Sequence, residues 1–347
     1  MVLKQSDIEI LNSISGVLGG ISGPILIVPH ANPDGDAIGS AIGLANILQN
    51  AGFRVVVISP NSYPSFYNWL DCKTEILDAE KNKAASKKYF ANGELLICVD
   101  FNEPSRVGPL QKAVEGFTGK KILIDHHPDP IYFCDYTISY PSYSSTAELV
   151  FDVVAGLGLT EYIDKPAAEA LYTGIMADTG SFSHNTSDPN IYKVIAELLK
   201  SGIKPETIHA NVYHNYSADR MKLLGYCLHE KMEVLPEYRT AFISITKDEL
   251  EMFNFKPGDT EGFVNYPLSI SGIIFSALFI EKEGLVKASF RSKGDFPANS
   301  FSKEHFNGGG HLNAAGGEAK LPLKEALSKF KQLLPGYLNQ LLNVNSS

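Results

Sequence analysis

The amino-acid sequence predicts an α/β protein of two domains: a doubly wound parallel sheet in the amino-terminal domain, followed by a smaller mixed-sheet α/β domain. Three observations predict this fold class. The 347 residues are 44% hydrophobic and 20% charged, an ordinary globular composition with enough length for more than one core. Short apolar runs alternate with helical patterns in the first part of the chain. After Pro236 the apolar runs lie closer together and partly alternate with polar residues.

Four continuously apolar runs predict the strands of the first domain, because strands of a parallel sheet are covered on both faces. These runs lie at residues 25–28, 55–58, 95–99 and 122–124. Apolar residues at helical spacing predict helices at residues 37–48, 146–154 and 167–177. This alternation of strands and helices is typical of a doubly wound sheet.

The second domain is predicted from the change of pattern after Pro236. Lys204-Pro205 is expected to end a helical segment, and a further helix at 218–232 leads into the new region. The later pattern predicts strands at 241–245, 273–280 and 285–290 and a helix at 323–342. We therefore predict three parts of the chain: a first domain at 1–205, linker helices at 206–236 and a second domain at 237–347.

The charge balance and the cysteines restrict the classes of partner and the compartment. The chain carries 30 Lys and Arg against 39 Asp and Glu, a formal net charge of -9. Such a surface does not attract polyanions in general, so we expect neither stable binding of duplex DNA nor membrane association. The start, MVLKQSDIEI, lacks the basic and apolar segments of an export signal. The four cysteines form no C-x-x-C pair, so reduced thiols and a cytoplasmic location are expected.

Carboxylates and imidazoles follow three of the four apolar runs and one helical segment. Because ligands of doubly wound sheets bind at the carboxyl ends of the strands, we expect these side chains to lie at one edge. A simpler alternative for the first group is an Asn-Pro-Asp-Gly turn with Asp36 as a helix cap. The residues concerned are His30, Asp34, Asp36, Asp100, Asp125, His126, His127 and Asp178.

Four carboxylates brought together in a protected site would repel one another strongly. Two divalent cations remove that repulsion, and carboxylate oxygens with imidazole nitrogens are suitable ligands for them. Two-metal sites acidify a water molecule and stabilise both the attacking and the leaving oxygen of a phosphoryl displacement. The pattern therefore predicts hydrolysis of a phosphoester.

Four motifs, in this order, resemble the signature motifs of the DHH phosphoesterase superfamily. They are HANPDGDAIGS from His30, Val99-Asp100, Asp125-His126-His127 and Ala177-Asp178-Thr179-Gly180. Phe290-Arg291-Ser292 and the glycine-rich residues 308–317 resemble the DHH-associated substrate-binding domain. The length and two-domain plan are most similar to the stand-alone oligoribonuclease and pAp-phosphatase branch, also labelled exopolyphosphatase-related.

The resemblance implies two manganese ions, with magnesium or cobalt as alternatives. It assigns His30, Asp34 and Asp100 to one ion. It assigns Asp36, Asp100, His126 and Asp178 to the other, so that Asp100 bridges the two. Asp125 would orient a neighbouring group. His127 would face the scissile phosphate, either as a ligand of its oxygens or as proton donor to the leaving group.

The resemblance also implies that substrate lies between a DHH catalytic domain and the DHH-associated domain. A terminal phosphate would be bound by Arg291, Ser292, Gly308, Gly309, Gly310, His311 and Asn313. Physically, glycine N–H groups can approach phosphate closely and an arginine can bind it with two hydrogen bonds. A plain glycine turn and a solvated arginine are the simpler alternatives. Arg106 and His184 are further candidates for lining the cleft.

The predicted activity is manganese-dependent hydrolysis of short oligoribonucleotides and linear dinucleotides to mononucleotides, and of pAp to AMP. One alternative is an inorganic pyrophosphatase or exopolyphosphatase. Another is a non-catalytic nucleotide-binding regulator on the same fold, although every implied metal position carries a competent ligand. The expected partners are short RNA or a nucleotide, and a homodimer is compatible with this plan.

Overall fold

The structure is a computed structural model that describes residues 5–344. Residues 1–4 and 345–347, which include the start of the chain and the outer ends of both predicted domains, lie outside the described residues. The chain divides into two compact units, Met1–Asn215 and Tyr216–Ser347. The residues predicted as linker helices are thus shared: the helix Pro205–Tyr213 lies in the first unit and the helix Ala218–Tyr226 in the second.

The first unit is built on a sheet of six parallel strands within the described residues, in the order β3-β2-β1-β4-β5-β6. This arrangement confirms the predicted doubly wound sheet. Its elements are α1 Gln5–Gly20, β1 Ile25–Val28, α2 Gly35–Asn50, β2 Val55–Ser59, β3 Ile76–Asp78, α3 Lys83–Asn92, β4 Leu95–Val99, α4 Gln111–Glu115, β5 Lys120–Asp125, β6 Tyr136–Ser139, α5 Thr146–Gly156, α6 Lys165–Asp178, α7 Pro189–Leu199 and α8 Pro205–Tyr213.

Both faces of this sheet are buried, which explains the continuously apolar strands. In β1, Ile25 and Ile27 pack into a core formed with α1, α2, α5 and α6. Leu26 and Val28 point to the opposite face, where residues of α3 and α4 pack. Side chains alternate between the faces of a strand, so a strand covered twice has no polar position.

The expectation at Lys204-Pro205 is wrong. Helix α7 already ends at Leu199, and Pro205 is the first residue of α8. Proline suits the first turn of a helix because its missing N–H would have no partner there and its φ is already helical. The predicted helix at 218–232 is also shorter, because a π-helical turn, Cys227–Lys231, follows it and Met232 begins a strand.

The second unit contains a mixed sheet in the order β11-β12-β10-β9-β8-β7, in which only the pair β8 and β9 is parallel among the described strands. This confirms the predicted mixed-sheet α/β domain. Its elements are α9 Ala218–Tyr226, β7 Met232–Leu235, β8 Thr240–Ile245, α10 Lys247–Met252, β9 Phe275–Lys282, β10 Leu285–Ser292, α11 Ala298–His305, β11 Gly309–His311, β12 Ala314–Ala319 and α12 Leu323–Asn343.

Phenylalanine is the most frequent residue in the larger core cluster of the second unit. Phe275, Phe279, Phe290 and Phe330 are fully buried, and the ring centroids of five pairs among them lie 5.1 to 6.3 Å apart. Such offset and edge-to-face pairs add to the stability that burial of the rings provides. The four cysteines are free thiols. Among the helices of residues 5–344, none has both the length and the apolarity needed to cross a membrane.

Candidate metal centre

The predicted ligands come together where the strand order of the first sheet reverses. The chain runs from β1 outwards to β2 and β3, then returns to place β4 on the other side of β1. The carboxyl ends of β1, β4 and β5 are therefore neighbours, and they carry His30, Asp100 and Asp125. Such a switch point leaves a crevice in which doubly wound sheets bind ligands.

The segment after β1 contains a helix cap, Asp34, and a buried carboxylate, Asp36, in the first turn of α2. Asp34 is the N-cap of α2, and its Oδ1 accepts hydrogen bonds from the N–H groups of Asp36 and Ala37, 3.1 Å each. The alternative with Asp36 as the cap is therefore wrong. Asp36 lies in the first helical turn and is only 1% exposed. This arrangement directs the Asp36 carboxylate into the protein.

Asp100 has one carboxylate oxygen near each of two histidines. Its Oδ2 lies 3.5 Å from His30 Nε2, and its Oδ1 lies 3.7 Å from His126 Nε2. The backbone at Asp100 is left-handed, with φ of 65°. This conformation is costly for a residue with a side chain and persists only where its surroundings fix it.

Two groups of potential metal ligands meet at Asp100, which belongs to the first group and has Oδ1 3.7 Å from His126 of the second. In each group, one ligand atom per residue lies within 4.8 Å of the others. The first group comprises His30, Asp34 and Asp100, and the second comprises Asp36, His126 and Asp178. Because Asp100 Oδ1 also approaches His126, this carboxylate could serve cations in both groups.

The two histidines present the same ring nitrogen to the centre. His30 Nδ1 lies 2.9 Å from the carbonyl oxygen of Ala31, and His126 Nδ1 lies 3.2 Å from that of Tyr143. A carbonyl oxygen accepts a hydrogen bond from Nδ1–H, so in the neutral ring the proton stays on Nδ1 and the lone pair on Nε2 is available to a metal ion. Oxygen and imidazole donors of this kind fit divalent cations such as manganese.

The protonation equilibria of the centre reflect buried charge. Burial raises the pKa of Asp100 well above its usual range, and the charge of Asp36 raises it further. Burial lowers the pKa of His126, but the charges of Asp178 and Asp36 outweigh this effect and raise it to about 9. Protons therefore compensate the carboxylates when no cation is bound, and bound cations would take their place.

Asp125 and His127 form a hydrogen-bonded pair beside Asp100, whose Oδ1 lies 3.6 Å from His127 Nδ1. His127 Nδ1 donates to Asp125 Oδ1 at 2.8 Å, and both side chains are buried. Asp125 Oδ2 has no hydrogen-bond partner within the described residues. The pair fixes which His127 nitrogen remains available for another group, and burial lowers the pKa of this imidazole.

Close packing of α2 and α6 brings Asp36 and Asp178 together. A Cβ added to Gly39 would lie 2.6 Å from the carbonyl oxygen of Ala170 and 2.8 Å from the nitrogen of Gly174. Glycine therefore permits the two helices to approach closely, and Asp178, the last residue of α6, reaches His126 at 3.4 Å. Asp178 is the more accessible of the two carboxylates, with 26% of its side chain exposed.

Residues at the start of α5 also touch the centre, and the pattern of the sequence did not identify them. The Thr146 hydroxyl donates to Asp100 Oδ1 at 2.8 Å, and the N–H groups of Thr146 and Ala147 donate to Asp36. Ser-Thr-Ala-Glu at 145–148 is a helix-capping pattern. That pattern predicts the start of a helix but not which carboxylates its first turn meets.

The two further candidates of the first unit differ in position. Arg106 is half-buried, its carbonyl accepts from the Ala31 N–H at 2.8 Å, and its charge adds to the effect of burial on the His127 pKa. His184 is exposed, on a turn in which Gly180, Ser181 and Phe182 all have positive φ. The structure thus places Arg106 in the electrostatic environment of His127, whereas His184 lies on an exposed turn.

In the second unit, Arg291 and His311 lie in one row across three strands. Both residues pair with Ala314 of β12, Arg291 from β10 and His311 from β11. Residues of one row point to the same face of a sheet, so the guanidinium and the imidazole share a face. Arg291 Nη1 also donates to its neighbouring Phe290 carbonyl at 2.9 Å.

The remaining candidates of the second unit have structural contacts. Asn313 Nδ2 donates to Ser292 Oγ and to the Gly294 carbonyl, both at 2.9 Å, and Ser292 is buried. Gly309 and Gly310 belong to the edge strand β11. A Cβ on Gly308 would lie 2.0 Å from the Gly316 carbonyl oxygen, so this glycine permits close backbone packing.

Comparisons with known proteins agree with these two units. The chain matches the DHH family, N-terminal domain, over residues 24–175 and the DHHA1 domain over residues 243–340. It is 30% identical over 322 residues to the bifunctional oligoribonuclease and PAP phosphatase NrnA of Thermus thermophilus, covering 92% of each chain. It is 29% identical to the probable enzyme of that name of Streptococcus mutans, covering 84% of this chain and 88% of the relative.

A solved structure extends the comparison to the whole fold. An exopolyphosphatase-related protein from Bacteroides fragilis superposes with a TM-score of 0.91 at 40% identity, covering 99% of both chains. The Thermus relative and the two domain matches together span the candidate metal centre and the residues Arg291 and His311 of the second unit. The chain therefore belongs to the DHH family.

Proposed function

We propose that this protein is a metal-dependent phosphoesterase that hydrolyses short oligoribonucleotides and linear dinucleotides to mononucleotides, and pAp to AMP. One observation carries the proposal: two groups of carboxylate and imidazole ligands meet at Asp100, which belongs to the group of His30 through Oδ2 and approaches His126 of the second group through Oδ1. Paired divalent cations stabilise both the attacking and the leaving oxygen of a phosphoryl displacement. Manganese is the proposed metal, with magnesium or cobalt as alternatives.

The chain's own residues have distinct roles in this proposal. His30, Asp34 and Asp100 hold one cation, and Asp36, Asp100, His126 and Asp178 hold the other. When bound, the cations supply an acidified water molecule and charge neutralisation at the phosphate. Asp125 holds His127 through Nδ1, so that His127 Nε2 contacts the phosphate or protonates the leaving group. Arg106 adds positive charge beside His127.

The choice of nucleotide substrates rests on the relatives and on the second unit. The relatives from Thermus thermophilus and Streptococcus mutans are named as oligoribonucleases and PAP phosphatases. Arg291 and His311, on one face of the second sheet, would bind a terminal phosphate of the substrate. Ser292 and Asn313 would hold the end of β10 beside them, and Gly308–Gly310 would shape β11.

A substrate panel tests this proposal. We expect manganese-dependent release of phosphate from pAp and of mononucleotides from pApA and short RNA. Asp178→Asn should lose most of the activity, because it removes a charged ligand. Asp188→Asn is the matched control, since Asp188 caps α7 and asparagine is an equally good cap.

The same panel separates the alternatives. Preference for pyrophosphate or polyphosphate over every nucleotide would move the protein to the pyrophosphatase or exopolyphosphatase class. Nucleotide binding without turnover, in the presence of bound manganese, would identify a regulator. Either result would contradict the proposed function.

A further inference from the structure

Thr146 contacts both carboxylates at the middle of the candidate metal centre. It is fully buried at the start of α5, its hydroxyl donates to Asp100 Oδ1 at 2.8 Å, and its N–H donates to Asp36 Oδ2 at 2.7 Å. We propose that Thr146 is a positioning residue that holds Asp100 as the ligand shared by two cations. This inference rests on the proposed metal-dependent function.

Asp100 needs a partner that fixes its side chain. Its left-handed backbone is unfavourable for a residue with a Cβ, and its N–H is bonded to the Ile124 carbonyl at 3.1 Å. That bond fixes the backbone but not the rotation of the carboxylate. The Thr146 hydroxyl bonds to Oδ1 and so keeps Oδ2 on the side of His30. Rotation of the Asp100 carboxylate would move Oδ2 away from His30 and Oδ1 away from His126.

The first turn of α5 holds the neighbouring carboxylate in the same way. The N–H groups of Thr146 and Ala147 donate to different oxygens of Asp36, at 2.7 and 2.9 Å. The N–H groups of a first helical turn lack partners within their helix and favour negative charge. The turn therefore stabilises two buried carboxylates that would otherwise repel, and it keeps the distance between them fixed. Asp36 Oδ1 also accepts from the Ser40 hydroxyl at 3.1 Å, whereas Asp36 Oδ2 and Asp100 Oδ1 keep a lone pair for a cation beside their bonds to Thr146.

A buried polar network holds this turn in place. Ser145 caps α5 by accepting from the Glu148 N–H, and Glu148 Oε2 accepts from both the N–H and the hydroxyl of Ser144. Asn190 on α7 donates to Glu148 and to Asp152. These hydrogen bonds fix the position of Thr146. A residue that orients a metal ligand needs such a fixed position.

The test compares manganese affinity, measured by calorimetry and by the electron paramagnetic resonance of unbound Mn²⁺, in full-length variants. Thr146→Val removes the hydroxyl but keeps the shape of the side chain. We expect its manganese affinity to fall by about 10- to 100-fold, the usual effect of removing a group that orients a ligand. Thr146→Ser restores the donor and should bind manganese within about threefold of the wild type.

Thr173→Val is the matched control. Thr173 is equally buried, but its hydroxyl donates to the Glu169 carbonyl within α6. Its manganese affinity should equal that of the wild type. If Thr146→Val is too unstable to measure, the manganese affinity of Thr146→Ala compared with that of Thr146→Ser tests the inference. Wild-type affinity in a folded Thr146→Val or Thr146→Ala variant would overturn the inference.

These measurements are independent of substrate. A wild-type protein that binds two manganese ions but hydrolyses no nucleotide would contradict the proposed function, while the Thr146 variants would still decide the positioning role. Conversely, full nucleotide hydrolysis by the wild type with unchanged metal affinity in the variants would overturn only the role of Thr146.

Discussion

Asp125 combines a buried charge with an incomplete set of hydrogen bonds. One of its oxygens accepts from His127, and the other has no partner within the described part of the chain. A buried carboxylate oxygen without a partner costs stability, so a role in the site explains Asp125 better than a contribution to folding. The role consistent with the geometry is to fix the His127 ring.

We predict that Asp125→Asn lowers kcat by about 10- to 100-fold, because asparagine accepts a weaker hydrogen bond and removes the charge beside the imidazole. Steady-state kinetics on pApA in saturating manganese measure this effect. Asp129→Asn is the control, because Asp129 is exposed in the same loop and its positive φ suits asparagine. An unchanged kcat in Asp125→Asn would remove Asp125 from the mechanism.

Arg291 is predicted to act on binding and not on the metals. Arg291→Ala should raise the KM for pAp by about tenfold or more, because a charge-assisted bond to phosphate is lost. Both manganese ions should remain bound. Lys293→Ala, an exposed cation two residues further on, should leave KM unchanged. Loss of metal from Arg291→Ala, or an unchanged KM, would contradict the assignment.

At the scale of elements, the packing of α2 on α6 determines the distance between Asp36 and Asp178. We predict that Gly39→Ala destabilises the protein by about 1–3 kcal/mol, as overpacking does, because its Cβ would meet the α6 backbone at 2.6 Å. Gly16→Ala in α1 has no atom within 4 Å of its Cβ and should stabilise the protein slightly. Urea denaturation measures both. Equal stability of the two variants would show that the helices can separate without cost.

The elements differ in how far the sequence predicts them. Strands β1, β2, β4 and β5 are predictable because burial on both faces makes them continuously apolar. Strands β3 and β6 lie at the edges of the sheet and are only partly buried, so their sequences lack this pattern.

The candidate site shows a similar limit. Carboxylates that directly follow strands are visible in the sequence, because charge cannot continue a buried strand. The Thr146 hydroxyl is separated from Asp100 by 46 residues, and only the folded chain joins them. The glycines at 308–310 fit a phosphate-binding turn and a closely packed strand equally well from sequence, and the structure places Gly309 and Gly310 in β11.

At the scale of the whole molecule, the formal charge of -9 argues against a continuous basic surface that would bind a long nucleic-acid strand. We predict that kcat/KM for RNA of about two to five nucleotides exceeds that for about 24 nucleotides by roughly tenfold or more, because a longer strand gains no continuous basic surface. Product formation at one stated ionic strength measures the ratio. Equal efficiency on both lengths would indicate a processive exonuclease instead.

The central claim is that Asp100 joins two cation sites, and the number of manganese ions bound per chain tests it most directly. Equilibrium dialysis followed by metal analysis should give two ions for the wild type and for Asp135→Asn, an exposed carboxylate paired with Lys120. Asp100→Asn should lose manganese from both sites and lose activity by several orders of magnitude, because one charge serves both ions. A wild type that binds fewer than two ions, or an Asp100→Asn variant that retains both, would contradict the claim.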